Sequence, residues 1–202
     1  MKVVGLDLGG TKIAAGVFDG KRLLSKVVVP TPKEGGERVA EALAEAAERA
    51  EREAGVRGEA IGLGTPGPLD FRRGVIRFAP NIPGVQDFPI RRILEEATGR
   101  PVFLENDANA AALAEHHLGA AQGEESSLYL TVSTGIGGGV VVLGGGVALN
   151  APEGYWEALL EAYRRYLQGW EAPPLRRARL GAEAGLLGAA LTAYLEVKDG
   201  SG

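Results

Sequence analysis

Asp7-Leu8-Gly9-Gly10-Thr11-Lys12 follows directly on the apolar run Val3, Val4, Leu6 and sets a carboxylate and a basic residue on either side of a Gly-Gly-Thr turn. That combination suits phosphate. Glycines leave backbone N–H groups uncovered, so that phosphate oxygens can approach them, while Thr11 adds a hydroxyl donor and Lys12 a charge. Asp7 cannot bind phosphate directly, but a hard cation such as Mg²⁺ seeks carboxylate oxygen, often through water. Taken alone, the stretch reads equally well as a β-hairpin whose turn needs glycine.

Three further segments add to it. A second glycine loop, Ser133-Thr134-Gly135-Ile136-Gly137-Gly138-Gly139, again follows a strand-like run, Ser127 to Val132, and two such loops facing each other would clamp a polyphosphate. Glu105-Asn106-Asp107-Ala108-Asn109 sits between an apolar run at Pro101 to Leu104 and an alanine-rich helix expected over Ala108 to Leu118. A carboxylate at such a strand end is well placed for general base work, or equally to cap the helix. Gly64-Thr65-Pro66-Gly67-Pro68 forms a rigid turn, with Asn81-Ile82-Pro83-Gly84 downstream.

In this order and spacing, the four segments resemble the ROK family of sugar kinases and repressors, and within it the bacterial glucokinase-like members. The resemblance implies an α/β, actin/hexokinase-like fold of two RNase H-type lobes, here residues 1–106 and a shortened 107–202, with ATP, Mg²⁺ and a hexose such as glucose bound between them. It also implies roles. Asp107 would be the catalytic base, and Asn106, Gly67 and Asn81 would face the sugar. Asp7 would orient Mg²⁺. Gly9, Gly10, Thr11 and Lys12 would meet the phosphates from one lobe and Thr134, Gly135 and Gly137 from the other, with Gly145 and Gly146 beside adenosine. Family repressors carry an N-terminal helix-turn-helix; with the phosphate turn so close to Met1, the repressor branch is not expected.

The same resemblance exposes a departure. Family kinases place a hairpin, a His-containing sugar segment and a Cys-rich zinc motif with a glutamate between the second phosphate loop and the adenosine segment. Here Gly137-Gly138-Gly139-Val140-Val141 runs straight into Val142-Leu143-Gly144-Gly145-Gly146. An internal block is missing near Val140 to Val142, so the second lobe is abbreviated. Losing two or three buried hydrogen bonds to a sugar, at about 1.5 to 3 kcal/mol each, would weaken its binding a thousandfold or more. The alternative function is therefore a kinase scaffold, natural or engineered, that folds and binds nucleotide with little or no catalysis. The uncovered apolar face also favours self-association, with a symmetric dimer as the expected form.

Composition agrees with an enzyme-sized chain: 202 residues, 45% hydrophobic and 24% charged, can bury a substantial core. A formal net charge of −4 gives no general attraction to nucleic acid. There is no cysteine, hence no disulfide and no cysteine zinc site, and His116-His117 near a helix end suit the helix dipole better than a metal. No apolar run reaches membrane-spanning length, so the expected location is the cytoplasm.

Local patterns predict strands at Val3 to Leu8, Ile13 to Phe18 and Leu23 to Val29, with Asp19-Gly20 as a hairpin turn between the last two. Val39, Leu43, Ala46, Ala47, Ala50 and Ala54 mark a helix ending at Gly55. A strand at Glu59 to Gly64 and a helix at Ile90 to Thr98 follow. Beyond the second glycine loop the pattern predicts a helix at Glu153 to Leu167, a strand near Arg176 to Leu180 and a helix at Ala182 to Leu195. Trp156, Leu159, Leu160, Tyr163 and Leu167 are spaced as the buried face of the first of these helices. Residues 198–202 read as a frayed tail.

Overall fold

The computed structural model describes residues 1–79, 81–124, 127–132, 136–144, 153–166 and 176–200. Its centre is a five-stranded mixed sheet of β1 (Val3–Leu8), β2 (Lys12–Phe18), β3 (Val27–Pro30), β4 (Ile61–Thr65) and β8 (Val102–Asn106) in the order β3-β2-β1-β4-β8. Strands β1, β2 and β3 pair antiparallel, and β4 and β8 join parallel on the other side of β1. This is the RNase H-type arrangement that the family resemblance implies.

Both faces of the sheet are covered, so β1, β2 and β4 are buried almost throughout, with successive side chains on opposite faces. Val4, Leu6, Leu8, Ile13, Ala15, Val17, Ile61 and Leu63 point into a core closed by α1 (Gly36–Ala54) and α2 (Ile90–Thr98). Both helices end, as their sequences suggest, on a left-handed glycine, Gly55 and Gly99. Odd-numbered β1 residues face the other way, toward α3 (Asp107–His117) and the C-terminal helix α5 (Ala184–Asp199). There Val3, Phe18, Ala60, Ala114, Leu187, Ala190 and Ala193 form a second core.

That second face is flat enough for a helix backbone to lie on the sheet. A Cβ at Gly62 would run into the carbonyl oxygen of Ala189, and one at Gly188 would run into that of Ala110, where α3 crosses α5. The last helix thus returns across the expected boundary at residue 106 and packs on the first sheet, together with α3.

Other elements depart from expectation for identifiable reasons. The strand expected from Leu23 begins only at Val27 because residues 19–25 are bound up in a turn: Lys21 and Arg22 N–H groups both donate to Asp19 Oδ1 at 2.9 Å, and Val17 N donates to Ser25 Oγ. Residues 69–88 hold a meander that was not foreseen, β5 (Leu69–Asp70), β6 (Val75–Phe78) and β7 (Gln86–Phe88). Over 176–180 a single bridge forms at Arg177 in place of a strand. Arg179 N and Leu180 N donate instead to the buried carboxylate of Glu115, and a short 3₁₀ turn at Gly181–Glu183 leads into α5. Helix α5 then runs on to Asp199, so residues 198 and 199 are helical rather than frayed.

Beyond α3, β9 (Leu128–Val132) pairs with β10 (Ile136–Gly144). The pairing shifts register at Val140/Val141, Val141/Leu143 and Leu143/Gly144, in the stretch where a missing block was expected. Helix α4 (Glu153–Tyr166) buries Trp156, over which Arg177 stacks at 4.4 Å, but Leu159 and Leu160 are only half-buried. Leu167 lies outside the described residues.

Candidate active site

The site lies where β1, β4 and β8 end. Strand β1 delivers Asp7 on the α5 face, next to Gly5 in the alternation, so its carboxylate meets the first turn of α5. A Cβ on Gly185 would stand 2.7 Å from Asp7 Oδ2. Burial, and after it the charge of Asp107, push the Asp7 carboxyl up to about 6 against the opposing pull of Lys12. Asp7 in β1 and Asp107 directly after β8 thus stand at the same end of the sheet, with β4 between their strands.

Asp107 is exposed and opens α3 directly after β8. The helix cap falls on its neighbour. Asn106 Oδ1 accepts from Ala108 N at 3.0 Å and Asn109 N at 3.3 Å, which leaves the Asp107 side chain with only a local bond from Ala108 N at 2.8 Å. Glu105 steadies the same corner, accepting from Asn106 N and from Asn109 Nδ2. Below it, Tyr129 packs with Ala111, Ala121 and Ala184; burial, with the charges of Glu115 and Asp107, pushes its hydroxyl up to about 12.

The Gly9-Gly10-Thr11-Lys12 stretch is a hairpin turn, Gly9 N donating to Lys12 O at 2.9 Å with Leu8 opposite Ile13. The hairpin reading of the sequence thus holds geometrically, with the glycine turn beside Asp7. Thr11 and Lys12 are exposed. Asn81 reaches this turn from the meander, with its Cβ where a Gly10 Cβ would be 2.8 Å away, so the turn tolerates no side chain at position 10. Gly67 adopts φ 90° and backs onto the Phe78 carbonyl, which makes its place in the chain a matter of turn geometry.

Of the site residues expected on the second loop, Gly137 lies among the described residues, in β10 opposite Thr131; Thr134 and Gly135, like Gly145 and Gly146 further on, lie outside them. Sequence reasoning missed Thr31, Lys33, Glu115 and Gly185. The prolines at 30 and 32 were the one local signal for the first two.

Sheet order, the crossing of α3 with α5, and paired carboxylates at the strand ends define an actin/hexokinase-like protein, and its solved relatives agree. A ROK hexokinase from Thermus thermophilus superposes with a TM-score of 0.93 at 66% identity, over 98% of this chain and 100% of that one. A ROK family glucokinase from Streptomyces griseus, solved with glucose and AMPPNP, gives 0.83 at 25% identity, over 96% and 100%. The chain belongs to the ROK family, whose model matches residues 3–143. Among curated proteins it is 41% identical to the glucokinase of Thermotoga maritima over 151 residues, which is 71% of this chain and 45% of that protein. The glucokinase of Streptomyces coelicolor gives 41% over 140 residues, 69% of this chain and 43% of that protein. The chain thus spans less than half the length of these curated relatives.

Proposed function

We propose that this chain is an ATP-dependent sugar kinase of glucokinase type, transferring the γ-phosphoryl group of ATP to the 6-hydroxyl of a hexose such as glucose. The observation that carries this reading is the placement of Asp7 in β1 and Asp107 directly after β8 at one end of the sheet, beside a glycine turn. Asp107, exposed and free of the cap, takes the proton of the attacking hydroxyl, a contribution of typically ~10²- to 10⁴-fold. Asn106, Gly67 and Asn81 line the sugar side; Gly9, Gly10, Thr11 and Lys12 receive phosphate from one lobe and Thr134, Gly135 and Gly137 from the other, with Gly145 and Gly146 at adenosine.

The residues present suit Mg²⁺. No group of three His, Cys, Asp or Glu stands ready for a metal among the described residues, and Mg²⁺ in nucleotide sites needs only one or two carboxylates, with water and phosphate oxygens as its other ligands. Asp7 would hold it, and the ion would neutralise charge on the transferring phosphoryl group. No zinc is part of the proposal. No described helix is long and apolar enough to cross a membrane, and a cytoplasmic location belongs to the same reading.

Release of ADP from Mg²⁺-ATP, followed across a panel of hexoses, tests the proposal: hexose-dependent release supports it, and none with any hexose defeats it. The second reading, a scaffold that binds nucleotide without turnover, is favoured by two features. The family model stops at residue 143, and the register of β10 breaks at Val140 to Gly144. Nucleotide binding without hexose-dependent release is its signature. We also propose that the shortened part is completed by self-association as a dimer; light scattering behind a sizing column showing a cooperative monomer would overturn that.

A further inference from the structure

The carbonyl oxygens of the β1–β2 turn are all held by one short segment. Thr31 Oγ1 donates to Gly9 O at 2.7 Å, Lys33 Nζ donates to Gly10 O, and Thr31 N donates to Thr11 O at 3.0 Å. Thr31 is 5% exposed, and the flanking Pro30 and Pro32 stiffen the chain on both sides of it. Lys33 is exposed and sets its ammonium beside the turn.

In a trans peptide the C=O and N–H point in opposite directions across one plane. The oxygen of Gly9 shares its plane with the N–H of Gly10, and the oxygen of Gly10 with the N–H of Thr11. Pulling both oxygens toward Thr31 and Lys33 therefore turns both N–H groups to the other side. Neither N–H has a partner among the described residues. Two adjacent free donors with a cation behind them form a receptor for a phosphoryl oxygen.

We propose that Thr31 and Lys33 are positioning residues that clamp the β1–β2 turn with the Gly10 and Thr11 N–H groups outward, and that this clamp determines affinity for a terminal phosphoryl group. This deepens the kinase reading and rests on it for the identity of the ligand.

The test follows the ¹⁵N resonances of Gly10 and Thr11 while inorganic pyrophosphate with Mg²⁺ is added, in the parent chain and in Thr31→Val, Thr31→Ser, Lys33→Met and Lys33→Arg. Both amides are expected to shift in the parent. Affinity should fall about tenfold in Thr31→Val and in Lys33→Met, the scale of one hydrogen bond, and return in the Ser and Arg variants. If turnover is present, KM for ATP rises in the same variants while KM for the hexose does not. Unmoved amides in the parent overturn the clamp, as does undiminished pyrophosphate affinity in Thr31→Val and Lys33→Met. Hexose-independent behaviour with the amide shifts intact would instead defeat the kinase reading and leave the clamp standing.

Discussion

The carboxylate of Asp7, at the end of the first strand, rests against Gly185 in the first turn of the last helix, with room for no more than a hydrogen between them: a Cβ at Gly185 would stand 2.7 Å from Asp7 Oδ2. The C-terminal helix is therefore a wall of the site as well as a cover for the sheet. Gly185→Ala should leave the fold intact, since alanine favours a helix by about 1 kcal/mol over glycine. It should displace the Asp7 carboxylate and weaken Mg²⁺-dependent nucleotide binding about tenfold. Gly188→Ala, which meets backbone rather than a side-chain tip, should unfold the chain. Thermal melts with calorimetric titration separate the two; equal effects on both variants would contradict the assignment.

Asp7 also makes stability depend on pH. Its carboxyl is raised from 3.8 to about 6 by burial first and Asp107 second, so between those values the unfolded chain ionises while the folded one holds its proton. Stability accordingly falls as pH rises from about 4 to about 6 and levels off above. With partial exposure discounted, the loss is roughly 2 kcal/mol. Asp7→Asn should flatten this slope and raise the melting temperature at neutral pH while abolishing the Mg²⁺ dependence of nucleotide binding. A variant that melts lower than its parent at neutral pH would show that the carboxylate is not strained by its surroundings.

Much of this was legible beforehand because strand alternation and glycine caps are local signals. The runs at Val3 and Gly62, the spacing from Val39 to Ala54 and the Glu105–Asn109 corner each act within a few residues, and each forms where predicted. What escaped depends on partners distant in sequence. Gly62 was read only as a strand position, yet it serves to admit a helix that begins more than a hundred residues later. Arg176 to Leu180 read as a strand, yet beyond a bridge at Arg177 the N–H groups of Arg179 and Leu180 go to a carboxylate on another helix.

That carboxylate belongs to Glu115, fully buried and accepting from Ala120 N at 2.7 Å, Arg179 N at 3.1 Å and Leu180 N at 2.7 Å. It ties the end of α3 to the approach of α5. Charged hydrogen bonds of this kind contribute about 1.5 to 3 kcal/mol each. Glu115→Gln, which turns an amide donor toward backbone donors, should cost about 3 kcal/mol or more. Denaturant unfolding reads it directly; a change under about 0.5 kcal/mol, the size of an ordinary surface substitution, would mean that the junction is held by other contacts.

The role of Asp107 is the centre of the account, because the cap that its position offers is already filled by Asn106. The most direct measurement compares hexose-dependent ADP release by the parent chain and by Asp107→Asn, with nucleotide affinity determined alongside. The account predicts that release falls at least ~10²-fold in the variant while nucleotide affinity stays within a few-fold of the parent. Turnover that survives unchanged in Asp107→Asn would contradict it.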